Sequence, residues 1–271
     1  MRINSVSHDE KNHPCNDKGI HSGRNKARLV ISGGLVLSCN VLLSATQVWA
    51  YRPFFATDAA VADPKEIEIE LGYFTLERDR GKNTFITPHT VLNYGLIQDL
   101  ELVGEFGVEE RPHGSVRLTD AAVSLKAILK EGVLQEKPGV SFAVEMGPLL
   151  PSTGGEKEKV GFEGVGIISG ELSPFMFHLN LGGGVDRKEN KPFVTWGWIT
   201  ELPVAPKFRI VGEIDGENTK GKSTDASALL GFIWNPPVSN LSIDAGIRRG
   251  ITREATNWLF TTGLTFGFSL P

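Results

Sequence analysis

Only three histidines lie beyond residue 50: His89, His113 and His178. Hydrolysis of the Ser–His kind would have to pass through one of them, because the nucleophile needs a base within hydrogen-bond reach. His113 sits in the charged stretch 110–117. His178 stands in the run His178-Leu179-Asn180, so its next neighbour on one face of an extended chain is Asn; Ser124 or Ser169 would have to approach it across strands. No Gly-x-Ser-x-Gly elbow, zinc-type His/Glu motif or phosphate-binding loop is present. Both cysteines, Cys15 and Cys39, fall within the first 50 residues, which leaves the remainder without thiol chemistry or a Cys-ligated metal. The expectation is no catalytic residue, no metal and no cofactor. What remains to act is charge and polarity, carried by Glu68, Glu70, Glu105, Lys126, Glu145, His178, Asn180, Arg209, Glu213, Asp244 and Arg248. Such a mixed set either fills an interior as ion pairs or lines a narrow, acid-rich passage that selects by size and charge.

The elements that would position these side chains read as strands. From residue 65 onward no helical period stands out, whereas segments of about ten residues alternate with period two. In 208–217, Phe208, Ile210, Gly212 and Ile214 oppose Arg209, Val211, Glu213 and Asp215. In the segment after 241, Leu241, Ile243, Ala245 and Ile247 oppose Ser242, Asp244, Gly246 and Arg248. Twelve such segments begin near residues 65, 84, 100, 118, 139, 161, 175, 192, 208, 225, 241 and 258. Pro88 falls inside the second; proline cannot donate to a ladder, so a bulge or strand end is expected there. The connections sort into two alternating classes. Charged or Gly-rich stretches (79–83, 110–117, 151–159, 186–191, 216–224, 250–257) alternate with generally shorter, often Pro-bearing ones, and 130–138 is the one poor fit.

The chain begins with an address. Residues 29–50 are uncharged, follow Arg24, Lys26 and Arg28, and end in Val48-Trp49-Ala50. A basic region, an apolar region and a small-residue exit predict a secretory signal over 1–50, cleaved before Tyr51 after Sec-type export. An uncleaved anchor and lipid attachment at Cys39 are the alternatives. Without residues 1–50 the formal net charge moves from -4 to -7. Neither value suits a nucleic-acid partner.

The mean hydropathy of -0.09 excludes a multi-helix membrane protein, but it is what alternating strands average to. In lipid every backbone N–H and C=O must be paired within the protein, so a spanning sheet must close. The fold class expected is all-β: a closed, antiparallel, up-and-down transmembrane β-barrel of about 12 strands over 65–271. Residues 51–64 precede it as a periplasmic arm or plug. Its partners would be the lipid bilayer of the outer membrane of a Gram-negative-type bacterium, the barrel-insertion machinery and a small-molecule solute. Trp196, Trp198, Trp234, Trp258, Tyr73 and Tyr94 are candidates for interfacial anchors. The chain ends Phe268-Ser269-Leu270-Pro271, which places the terminal aromatic residue that insertion machinery reads three positions inside the chain.

The residues also resemble a family. Arg52-Pro53-Phe54, Thr57-Asp58, Tyr94-Gly95-Leu96 with Glu101-Leu102, Lys126, Pro148 to Pro151 after Glu145, the run His178 to Gly182, Gly212-Glu213 and Asp244-Ala245-Gly246 follow one another as in the outer-membrane proteins grouped as "MetA-pathway of phenol degradation" transporters. The resemblance spans 52–268 and implies a channel for small, often aromatic or hydrophobic compounds. The function expected is an outer-membrane channel or transporter for small solutes. The alternatives are a structural or surface-interaction barrel with a sealed lumen, a soluble periplasmic β protein, and an outer-membrane hydrolase.

Overall fold

The computed structural model describes residues 52–110, 116–153, 158–237 and 240–271. The signal segment 1–50, with Cys15 and Cys39, and His113 lie outside the described residues. Twelve strands follow in chain order: β1 Glu66–Asp79, β2 Lys82–Ile97, β3 Leu100–Glu110, β4 Val116–Lys130, β5 Ser141–Leu149, β6 Gly161–Leu172, β7 Phe175–Val185, β8 Pro192–Ala205, β9 Phe208–Thr219, β10 Asp225–Trp234, β11 Leu241–Gly250 and β12 Trp258–Ser269. Each pairs antiparallel with its sequence neighbours, and β1 pairs with β12 from Glu66 opposite Ser269 to Arg78 opposite Trp258, so the sheet is a closed barrel. At 9 to 16 residues every strand is long enough to cross a bilayer when tilted.

The alternation read from the sequence resolves into an outside and an inside. Outward positions carry Ile210, Ile214, Leu230, Leu181, Trp198 and Phe260, all exposed. Inward positions on the same strands carry Glu213, Ser227, Leu229, His178, Ile199 and Thr261, all buried. An apolar exterior around a polar interior is the arrangement of an outer-membrane-type barrel, whose environment is lipid. Trp234 and Trp258 sit at strand ends, whereas the exposed Trp198 lies in the middle of β8. Pro88 falls at a register shift between β2 and β3, bracketed by Ile86 and His89, as its missing N–H requires. β12 ends at Ser269, and Leu270 N–H still donates to Lys65 C=O, which fastens the last strand to the root of the first.

The connections sort less cleanly than the sequence suggests. The stretch 79–83 shrinks to a two-residue turn, Arg80-Gly81, with φ of 47° and 80°, the positive values a tight hairpin needs. At the opposite end β2–β3, β6–β7 and β8–β9 also turn in two residues, and Asp99 (φ 62°) and Lys207 (φ 65°) take the left-handed position. The poor fit, 130–138, becomes the connection 131–140, which contains a single 3-10 turn at Val133–Gln135, for a reason given below.

The outward face sets a first expectation. Replacing Ile210 (41% exposed) or Ile243 by Arg should destabilise the inserted barrel by about 2–4 kcal/mol near the bilayer midplane. Denaturant unfolding in lipid vesicles measures it; tolerance at both positions would remove those faces from lipid.

Candidate functional site

The lumen is built by the inward positions and by the arm, residues 52–64, which lies inside the barrel. The arm is not a strand and meets the wall chiefly through side chains. Arg52 Nη2 donates to Thr261 Oγ1 (2.6 Å), and its Nε lies 3.6 Å from Asp244 Oδ2. Phe54 packs on Val211, Leu229 and Ile233, an apolar pad on β9 and β10. The Phe55 and Ala56 N–H groups both donate to the Glu213 carboxylate (3.1 and 2.7 Å to Oε1). Asn180 closes a two-way bond with Thr57, accepting from its N–H (3.0 Å) and donating to its C=O (2.6 Å). Ala59 N–H donates to Ser169 Oγ (2.9 Å), and Ala62 N–H to Glu101 Oε2 (2.6 Å). Buried backbone amides must find acceptors, and here wall carboxylates, an amide and a hydroxyl supply them. Gln135, in the 3-10 turn, donates from Nε2 to Ala59 C=O (3.0 Å); the connection 131–140 is long because it folds in over the arm.

Three clusters gather wall charges against or beside the arm. Arg248 reaches both Glu213 and Asp215, and its guanidinium stacks 3.7 Å over the Phe55 ring. Lys126 Nζ faces Asp58 of the arm (3.5 Å), Glu101 (3.6 Å) and Thr57 Oγ1 (3.2 Å). Arg209 pairs with Glu201 (2.9 Å), whose other oxygen lies 3.5 Å from His178 Nε2.

His178 also meets a hydroxyl. Ser169 is its direct cross-strand partner, with Oγ 2.8 Å from His178 Nδ1. Ser169, His178 and Glu201 therefore lie in a row, a contact the sequence left conditional on strands coming together. Ser169 Oγ accepts from Ala59 N–H and shares a second bond with His178 Nδ1, and the hydroxyl is fully buried beneath the arm.

The eleven sequence-derived lumen candidates divide. Glu68, Glu70, Glu105, Lys126, Glu145 and Asn180 line a cavity of about 1180 Å3 bounded by the arm and by inward residues of β1–β7 and β12. His178, Arg209, Glu213, Asp244 and Arg248 belong to the β7–β11 side; Glu213 and Asp244 hold the arm directly, and His178 does so through Ser169. Arg52, Asp58, Glu101, Ser169, Glu201 and Asp215 escaped the sequence-derived set. Parity could have found Glu101, Glu201 and Asp215, which fall on the same faces as Glu105, Ile199 and Glu213. The residues of the arm carry no such period.

The cavity reaches both ends of the barrel. Its lining includes Asp99, Glu131 and Gln135 beside the short turns, and Glu77, Leu149 and Arg187 at the opposite end. Among the described residues lining it, fourteen are Asp or Glu and three are Lys or Arg. Beyond the strands at that opposite end, Glu189 pairs with Lys191 and, at 2.9 Å, with Lys222, tying connection 186–191 to 220–224. The hydrogen bonds from Lys191 and Lys222 hold the Glu189 carboxyl down to about 2.

No protein-family model matches the chain, and no curated protein sequence does. Among solved structures it is similar to a loop L8 deletion mutant of OmpT, an outer membrane protein of Vibrio cholerae (10% identity, 74% of this chain and 97% of that one, TM-score 0.38). It is also similar to the translocator domain of the autotransporter NalP from Neisseria meningitidis (10% identity, 76% and 88%, TM-score 0.37).

Two expectations follow from the charges. Arg248→Met strands Glu213 and Asp215 without their cation and should destabilise the barrel by about 3–5 kcal/mol, measured by denaturant unfolding. A carboxylate held below its ordinary value contributes its tie above that value and loses it as pH falls toward the lowered one. Protease nicking of connection 186–191 should therefore rise as pH drops from about 4.5 toward 2, and Glu189→Gln should abolish the dependence.

Proposed function

We propose that the protein is a passive outer-membrane channel for small solutes that favours cations over anions, delivered by Sec-type export. The observation that carries the reading is the cavity beside the arm, whose lining runs from one barrel end to the other. Its volume of about 1180 Å3, shared along the length of the barrel, suits small solutes and not a folded chain. Carboxylates on low-dielectric walls concentrate cations and repel anions. Val91, Val103, Val165 and Leu259 interrupt the acidic lining with apolar surface. That mixture is compatible with aromatic or hydrophobic solutes, which the likeness to the "MetA-pathway of phenol degradation" transporters suggests.

A second reading, a sealed structural barrel, draws on the opposite half of the lumen, where Phe54, Val211, Leu229 and Ile233 pack without a passage. For the hydrolase alternative, the burial of Ser169 and its bond from Ala59 support a structural role for the Ser–His contact.

Reconstituted in planar bilayers under a KCl gradient, the protein should give a reversal potential of cation-selective sign. Replacing Glu105 and Glu145 together by Gln should move that potential toward zero. Absence of permeation for ions and for small aromatic compounds alike selects the sealed barrel.

A further inference from the structure

Three features of the arm stand together. The ladder closes from β1 to β12 without it, so leaving the lumen breaks no strand pairing. Two of the wall carboxylates it touches keep cations of their own, Glu213 with Arg248 and Glu101 with Lys126, whereas Asp244 gives up Arg52. The groove it occupies is cut by inward glycines. A β-carbon at Gly197 would stand 2.7 Å from Ala56 Cβ, with nothing else nearer than Asn180 Cβ at 3.8 Å; at Gly246 it would stand 3.2 Å from Pro53. A side chain at Gly197 would intrude on the seated arm, and one at Gly246 would crowd both Pro53 and the wall's Leu229.

We propose that the arm is a reversible internal gate: it swings from a fixed root and, when unseated, joins its groove to the passage. This rests on the channel reading above. The root is pinned where Lys65 N–H donates to Gly95 C=O (2.8 Å) and Glu66 N–H to Asp63 C=O (2.8 Å). The tip is latched by Arg52, which sits between Asp244 and Thr261. Between root and tip the arm is held by wall side chains: hydrogen bonds to Glu213, Asn180, Ser169 and Glu101, the Asp58–Lys126 ion pair, and the contacts of Phe54 and Phe55, of which the polar ones can be replaced by water once the lumen widens. The seated arm leaves the narrow acidic passage; the unseated arm adds the volume bounded by the apolar pad of Val211, Leu229 and Ile233. A gate of this construction changes solute class as well as bore, because that pad is apolar where the passage is acidic.

Residues 52–271 contain no cysteine, which makes a lock simple to build. Ala56→Cys with Gly197→Cys places two thiols where arm and wall approach closely, the β-carbons needing to part by about 1 Å to reach disulfide spacing. In planar bilayers the oxidised pair should show one small conductance level, and reduction should restore transitions to a larger one. Gly197→Val, whose β-carbon meets the arm before any wall side chain, should hold the larger level, as should Asp244→Asn, which removes the charge that pairs with Arg52. A membrane-impermeant maleimide applied to proteoliposomes reads the arm independently of conduction. The single variant Ala56→Cys should label slowly, and faster when combined with Gly197→Val. Equal conductance in the locked, reduced and Gly197→Val proteins, with the Ala56→Cys thiol equally protected in both backgrounds, overturns the gate and leaves the channel standing. Accelerated labelling of that thiol with no conductance in any variant supports a movable arm and overturns the channel.

Discussion

The need to pair every backbone N–H and C=O away from water governs the whole molecule. It forces the sheet to close, with β1 on β12, and closure sends half of each strand's side chains inward. Those inward positions must be compatible with one another in a confined space. The chain meets that demand in two ways. On the β7–β11 side the interior is solid: ion pairs and an apolar pad lie there, with the arm over them. On the β1–β6 side the interior is open and acidic. The asymmetry follows the course of the arm: Phe54 and Phe55 cover the β9–β11 wall, and Asp58 to Ala62 cross to Lys126, Ser169 and Glu101, leaving the cavity beside Glu105 and Glu145.

That arrangement gives the lumen charges separate tasks. Glu213 balances Arg248 and at the same time accepts two arm amides. A carboxylate with several lone-pair directions can do both, whereas a hydroxyl such as Ser169 links only one arm amide to one wall side chain. On the open side, Glu105 and Glu145 have no arm to hold. Glu105 lies 3.0 Å from His89 Nε2, and Glu145 accepts from Ser124.

The strands were legible because a barrel wall with lipid outside and charge inside writes a period of two into the chain. The segment 208–217 shows it plainly, and β9 begins at Phe208 as read. Pro88 announced its irregularity through a missing donor. The arm was not legible beyond its apolar character. Its conformation is irregular, and it is held by residues distant in sequence such as Asn180 and Glu213, so no local pattern encodes its path. The meeting of Ser169 with His178 depends on the register of β6 against β7, which alternation alone does not set. The inward glycines Gly197 and Gly246 were the available hint of something running close to the wall.

The bond from Arg52 to Thr261 joins residues 209 positions apart. The arm precedes every strand in the chain, yet its tip has no complete seat until β11 and β12 have been laid down beside β1. Among the contacts of this fold it has one of the longest loop closures, and such contacts contribute only after the intervening chain has been ordered. The first described residue of the chain is therefore among the last to find its place, and its seating records that the cylinder has shut.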